Sequence, residues 1–206
     1  MAARLRNADV FAGINAALFV IMCVAVYYDR FIQYRGRGNL HEFAIYGGVI
    51  LSLIAIAWLY FRQFHFRNSM LALVQAGILA HFAGAFVPLD GGRLYDAYIF
   101  GIRYDKYVHL FNAFVAAVVV SHVFDRVRAH LPFVRGLAVL LVVLGLGAVV
   151  EIVEYLVMLT VPNAGVGGYD NNMQDLIGNL LGGTLFVVLD CVRRSRRPRA
   201  ASYAES

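Results

Sequence analysis

The chain has 206 residues, 61% apolar and 15% charged, whereas soluble domains run at about 45–50% apolar and about 25% charged. That excludes an ordinary soluble globule, and two cysteines without CxxC or Cys/His spacing exclude a disulfide scaffold or zinc module. The net charge of +5 would point to nucleic acid only if the basic residues formed one face of a soluble fold, so their positions decide its meaning.

A spanning helix needs roughly 20 mainly apolar residues. Residues 10–28 supply the first such stretch, without a charge. Its 19 residues, followed by Asp29 and Arg30, exceed the core of a cleaved signal, about 7–15 residues, and predict a retained helix. Residues 43–61 form a second uncharged stretch, and residues 70–89 a third that carries His81. The aromatic and glycine-rich segment 90–106, with an Asp90-Gly91-Gly92 turn, is expected at headgroup level or re-entrant. Residues 107–124 form the fourth span, preceded by Asp105 and Lys106 and containing His109 and Asn112. Residues 136–161, the fifth, hold Glu151 and Glu154. A glycine-rich connector over 162–174 leads to the sixth, 176–192, with Asp170 and Asp175 before it and Asn179 in its first turn. Residues 193–206 are a basic tail.

This predicts an all-α polytopic membrane protein: one six-helix transmembrane domain over 1–192, with both termini cytoplasmic. With that orientation twelve of the 18 basic residues fall on the inner side, as the positive-inside rule requires. The basic excess is therefore an orientation signal, which removes nucleic acid as a partner. The tail arginines, Arg193, Arg194, Arg196, Arg197 and Arg199, could also attract anionic lipid at about 1 kcal/mol per residue. Tyr27, Tyr28, Tyr60, Tyr95, Tyr98, Tyr104 and Tyr107 lie near span ends, as an interfacial aromatic belt would.

Ionisable groups inside a span cost about 2.5–3.5 kcal/mol each at the centre on insertion scales and usually face a cavity or a partner. The predicted topology puts His81, Asp105, His109, Asn112, Glu151, Glu154, Asp170, Asp175 and Asn179, from four spans, at the same outer level. Asp105 and His109 are four apart, as are Asp175 and Asn179, and Glu151 and Glu154 are three apart, so each pair shares a helix face. Asp105, His109, Glu151, Glu154 and Asp175 are the candidate catalytic groups. His109, Glu151, Glu154 and Asp175 are also a ligand set for a hard or borderline divalent metal. Two plainer readings stand beside these: a hydrogen-bonded network that fastens helices in lipid, and aspartates that merely favour helix starts.

Three motifs carry a resemblance. Tyr104-Asp105-Lys106-Tyr107-Val108-His109, Glu151-Ile152-Val153-Glu154-Tyr155, and Asp170 followed by Asp175-Leu176-Ile177-Gly178-Asn179-Leu180-Leu181-Gly182 resemble, in the same order, elements of the VanZ-like membrane proteins. The length and the Glu-x-x-Glu form are closer to the YjdF-type inner-membrane proteins. The resemblance implies a multi-pass protein of the bacterial cytoplasmic membrane, connected with the cell envelope through the VanZ type, and supplies no reaction. His81 has no counterpart in those motifs.

Three functions follow as expectations. The first is a membrane enzyme acting on a lipid or lipid-linked envelope substrate. The second is a non-catalytic accessory or assembly subunit of a membrane complex. A small carrier is the third, disfavoured because the inner halves of spans one, two and five are almost purely apolar.

Overall fold

A computed structural model of the chain describes residues 5–89, 92–129, 131, 134–160 and 168–196. Among these, five helices have the length and apolarity to cross a membrane: Asn7–Ala25, Phe43–Phe64, Tyr104–Arg126, Arg135–Leu156 and Tyr169–Ser195. The expected third span is also helical, over Asn68–Phe86, but is not one of these five. The chain divides into two compact units, Met1–Leu71 and Ala72–Ser206.

In the first unit, α1 (Asn7–Met22) continues through a π-helical turn at Cys23–Tyr27 into α2 (Tyr28–Arg35). The helix therefore outruns the apolar stretch that announces it, because residues 28–35 are largely polar and interrupt the hydropathy without interrupting the backbone. Gly36, at φ 79°, ends α2 in a conformation that favours glycine. The returning α3 (Leu40–Phe61) is joined to the start of α1 by a polar clasp. Asp9 accepts from Trp58 Nε1 at 2.8 Å and pairs with Arg62 Nε at 2.9 Å, and the guanidinium lies 5.3 Å from the Trp58 ring centroid.

The second unit is built around α5 (Tyr104–Arg126), α6 (Arg135–Thr160) and α7 (Tyr169–Ser195). Its buried apolar centre is made of small side chains, Ala113, Ala117, Val139 and Val143, flanked by Phe124 and Phe186. Small residues let helices approach closely in lipid, where dispersion contacts replace the hydrophobic effect between them. The closest approach is α7 on α5. A Cβ at Gly178 would lie 3.3 Å from both His109 Cβ and the Lys106 carbonyl, and one at Gly182 would collide with the Leu110 carbonyl. These two glycines bring the polar starts of α5 and α7 together.

The expected sixth span begins at Tyr169 rather than at residue 176. Its first two turns are polar, so apolar patterning does not report them, yet Asn171 Nδ2 bonds Asp175 Oδ2 at 2.7 Å one turn on. Residues 162–167 of the expected connector lie outside the described residues. Between α4 (Asn68–Phe86) and α5 lie two short antiparallel hairpins: β1 (Pro88–Leu89) with β2 (Gly92–Arg93), and β3 (Tyr98–Ile99) with β4 (Ile102–Arg103). Asp90 and Gly91 of the expected turn are outside the described residues.

Candidate functional site

The first turns of α5 and α7 and the second half of α6 meet at one end of the three-helix unit. Lys106 lies at the centre of their polar side chains. Its Nζ donates to Asp175 Oδ1 at 2.8 Å, to Asn171 Oδ1 at 2.8 Å and to the Asn171 carbonyl at 3.2 Å, and pairs with Asp105 Oδ2 at 3.2 Å. Arg103 supports this arrangement, pairing with Asp105 Oδ2 at 3.1 Å and donating to Asn171 Oδ1 at 3.0 Å. Asp175 is 1% exposed, with Oδ1 held by Lys106 and Oδ2 by Asn171.

Behind this network His109 stands between two carboxylates. Its Nε2 is 3.5 Å from Asp175 Oδ1 and its Nδ1 is 3.8 Å from Glu151 Oε1. Glu151 is 5% exposed, and neither of its carboxylate oxygens has a hydrogen-bond partner among the described residues. Buried carboxylates are normally satisfied, so a pair of unmatched oxygens marks a place where a proton, a cation or a ligand group belongs. His109, Glu151 and Asp175 each offer one ligand atom, all within 4.8 Å of one another. One imidazole nitrogen and two carboxylates form a donor set for a borderline or hard divalent ion. Four carboxyl groups (Asp105, Glu151, Glu154, Asp175) and two cations (Arg103, Lys106) share this end of the unit.

His109 also borders a cavity of about 410 Å³ reached by His81, Asn112, Glu154 and Asn179, with Val108, Val143, Leu146 and Val150 as apolar wall. Glycines make room for the two amides: a Cβ at Gly77 would meet Asn112, and one at Gly147 would meet Asn179. His81 is held from the hairpin segment, where the Tyr95 hydroxyl bonds its Nδ1 and the Tyr95 ring lies against Gly84.

The sequence-predicted residues thus fall into three groups. His109, Glu151 and Asp175 converge directly. Glu154 faces the cavity, with His81, Asn112 and Asn179, rather than joining that trio. Asp105 is buried beside Lys106 and Arg103, whereas Asp170 is exposed in the first turn of α7 and is not drawn in. Sequence reasoning assigned no role in the site to Lys106, Asn171 or Arg103, and gave Tyr95 only a place in the aromatic belt, whereas its hydroxyl bonds His81. Asn171 was within reach, since it stands four residues before Asp175; the roles of the other three depend on contacts remote in sequence. Away from the site, Asp190 of α7 pairs with Arg194 Nε at 2.6 Å one turn on.

Among curated proteins and solved structures, nothing matches the chain. Residues 10–196, nearly the whole chain and every side chain of the site, match the family described as "Predicted membrane protein (DUF2238)". With several helices apolar enough to cross a bilayer, the chain is a multi-pass membrane protein and belongs to the DUF2238 membrane-protein family.

Proposed function

We propose that the polar end of the second unit is the active site of a membrane enzyme acting on a lipid or lipid-linked envelope substrate, with a divalent cation held by His109, Glu151 and Asp175. The observation that carries this reading is Glu151, 5% exposed with both oxygens unmatched beside His109. A bound divalent ion would polarise a phosphoryl or carbonyl oxygen or activate a water. The protein's own groups supply the rest. Glu154 faces the cavity as a general acid or base. His81, Asn112 and Asn179 orient polar atoms of a headgroup, and Val108, Val143, Leu146 and Val150 accept its apolar part. Lys106 and Asn171 fix the Asp175 carboxylate in place.

The remainder of the reading concerns placement. Six spans with both termini cytoplasmic put the cluster at the outer leaflet of the bacterial cytoplasmic membrane, and the tail arginines beside anionic lipid on the inner face. The resemblance to VanZ-like and YjdF-type proteins at the three motifs supports an envelope role. A non-catalytic accessory role is the competing reading, favoured by the saturation of Asp175, whose two oxygens are both engaged as in a structural fastening.

The test is metal content and lipid turnover. Protein purified in mild detergent should hold one divalent ion per chain by elemental analysis. Glu151→Gln should weaken binding by more than about 100-fold, beyond the 10–100-fold typical of groups that only support a ligand. Glu154→Gln should keep the ion and lose turnover of a lipid-linked substrate. A wild-type protein that takes up no divalent ion on titration rules out the metal, and Glu154→Gln turning over lipid normally rules out its acid–base role.

A further inference from the structure

The hairpin β3–β4 turns through Phe100 and Gly101, both at positive φ, 51° and 78°. Positive φ at both central residues is the signature of a type I′ turn, usually built from Asn-Gly or Gly-Gly. Glycine adopts it freely, whereas a bulky aromatic in that region is an outlier. Phe100 is nevertheless 97% exposed and Tyr98 70%, so no packing among the described residues compensates for the strained backbone.

The hairpin is tied down beside a span. Tyr107, in the first turn of α5, donates its hydroxyl to the Ile99 carbonyl at 2.9 Å, and the Tyr104 N–H donates to the Ala97 carbonyl at 2.8 Å. Tyr104 opens a helix long and apolar enough to cross a membrane. Helical side chains lean back toward their own N-terminus, so the Tyr107 hydroxyl holds Ile99 at the level where the span begins. In a bilayer that level is the interface, where aromatic side chains concentrate. The charges of the segment are turned to one another, Arg93 and Arg103 each reaching Asp96 at 3.3 Å, and the tip carries none.

We propose that the Phe100 tip, with Tyr98, Ile99 and Ile102, is a wedge inserted in the bilayer interface, its partner being lipid. Four side chains at a hairpin tip fall well short of the roughly 800 Å² per partner of a stable protein interface. Lipid, by contrast, meets this level of a span on every unpaired side. The proposal stands independently of the enzymatic reading.

A Phe100→Trp variant in a Trp58→Phe background, reconstituted in phosphatidylcholine–phosphatidylglycerol vesicles, tests it. The expected result is blue-shifted emission, strongly quenched by lipid brominated near the headgroup and insensitive to aqueous iodide. Should loss of Trp58 perturb the fold, the difference spectrum between Phe100→Trp and the native chain reads the same quantity. Quenching by iodide and not by brominated lipid places the tip in water and overturns the proposal. Insensitivity to both quenchers means that protein covers the tip, and overturns it equally.

Discussion

Single residues set the charge balance of the site. The ammonium of Lys106 does for Asp105 and Asp175 what a bound cation would do, neutralising carboxylates that the fold has taken out of water. Removing one partner of a buried ion pair typically costs about 3–5 kcal/mol, because the other charge is left uncompensated. Lys106→Met should therefore lower stability by about that amount in denaturant titrations of detergent-solubilised protein. It also removes the cation beside Asp105 and Asp175, so added divalent cation should restore more stability to the variant than to the native chain. Equal responses of the two proteins would show that the cluster has no place for the ion. The sequence alone marked Asp105, Asp175 and His109, because ionisable groups stand out in apolar spans. It could not show Lys106 as the counter-ion of Asp175, because Asp175 and the supporting Asn171 lie 69 and 65 positions away.

At the scale of elements, the departures from expectation are polar segments that fold regularly. The first two turns of α7, the extension of α1 through Arg35, and the two hairpins before α5 carry too few apolar residues, or are too short, for periodicity to register. Contacts made elsewhere hold them. Tyr95, between the hairpins, shows how. Burial, and then the nearby Glu154 carboxylate, hold its phenol above the ordinary tyrosine range. An unfolded chain releases a tyrosine proton near pH about 10 while the native chain retains it. Above that pH the unfolded state binds fewer protons, and stability must fall as pH rises. Tyr95→Phe should flatten this alkaline loss of stability in melts above about pH 10, while abolishing the bond to His81. An unchanged slope would mean that Tyr95 titrates normally.

For the whole molecule, apolar surface dominates. Val24, Ile56, Ile152 and Leu159 are more than half exposed within the chain, and the buried centre of the second unit is only a few alanines and valines. Such helices persist because lipid covers their outer faces and the backbone satisfies itself within each helix. The proposed six-span, termini-inside topology, drawn from the arginine distribution, predicts the behaviour of fusions. A fluorescent protein at the C-terminus should glow, and a phosphatase that works only outside the cytoplasm should be inactive there. The reverse pattern would move the polar cluster to the inner leaflet. Membrane residence was determined by sequence alone, since composition and run length depend on no contact; so were the residue types of the site, since each ionisable group in a span is a costly exception. Only the tertiary structure decided which of them meet. Gly178 and Gly182 set how closely α7 approaches α5, and that spacing puts Asp175 beside His109 and Lys106, turns Glu154 to the cavity, and leaves Asp170 in the open. The sparse charge of the opening composition is thereby divided between arginines suited to orienting the chain and a few buried groups whose partners are fixed by helix packing.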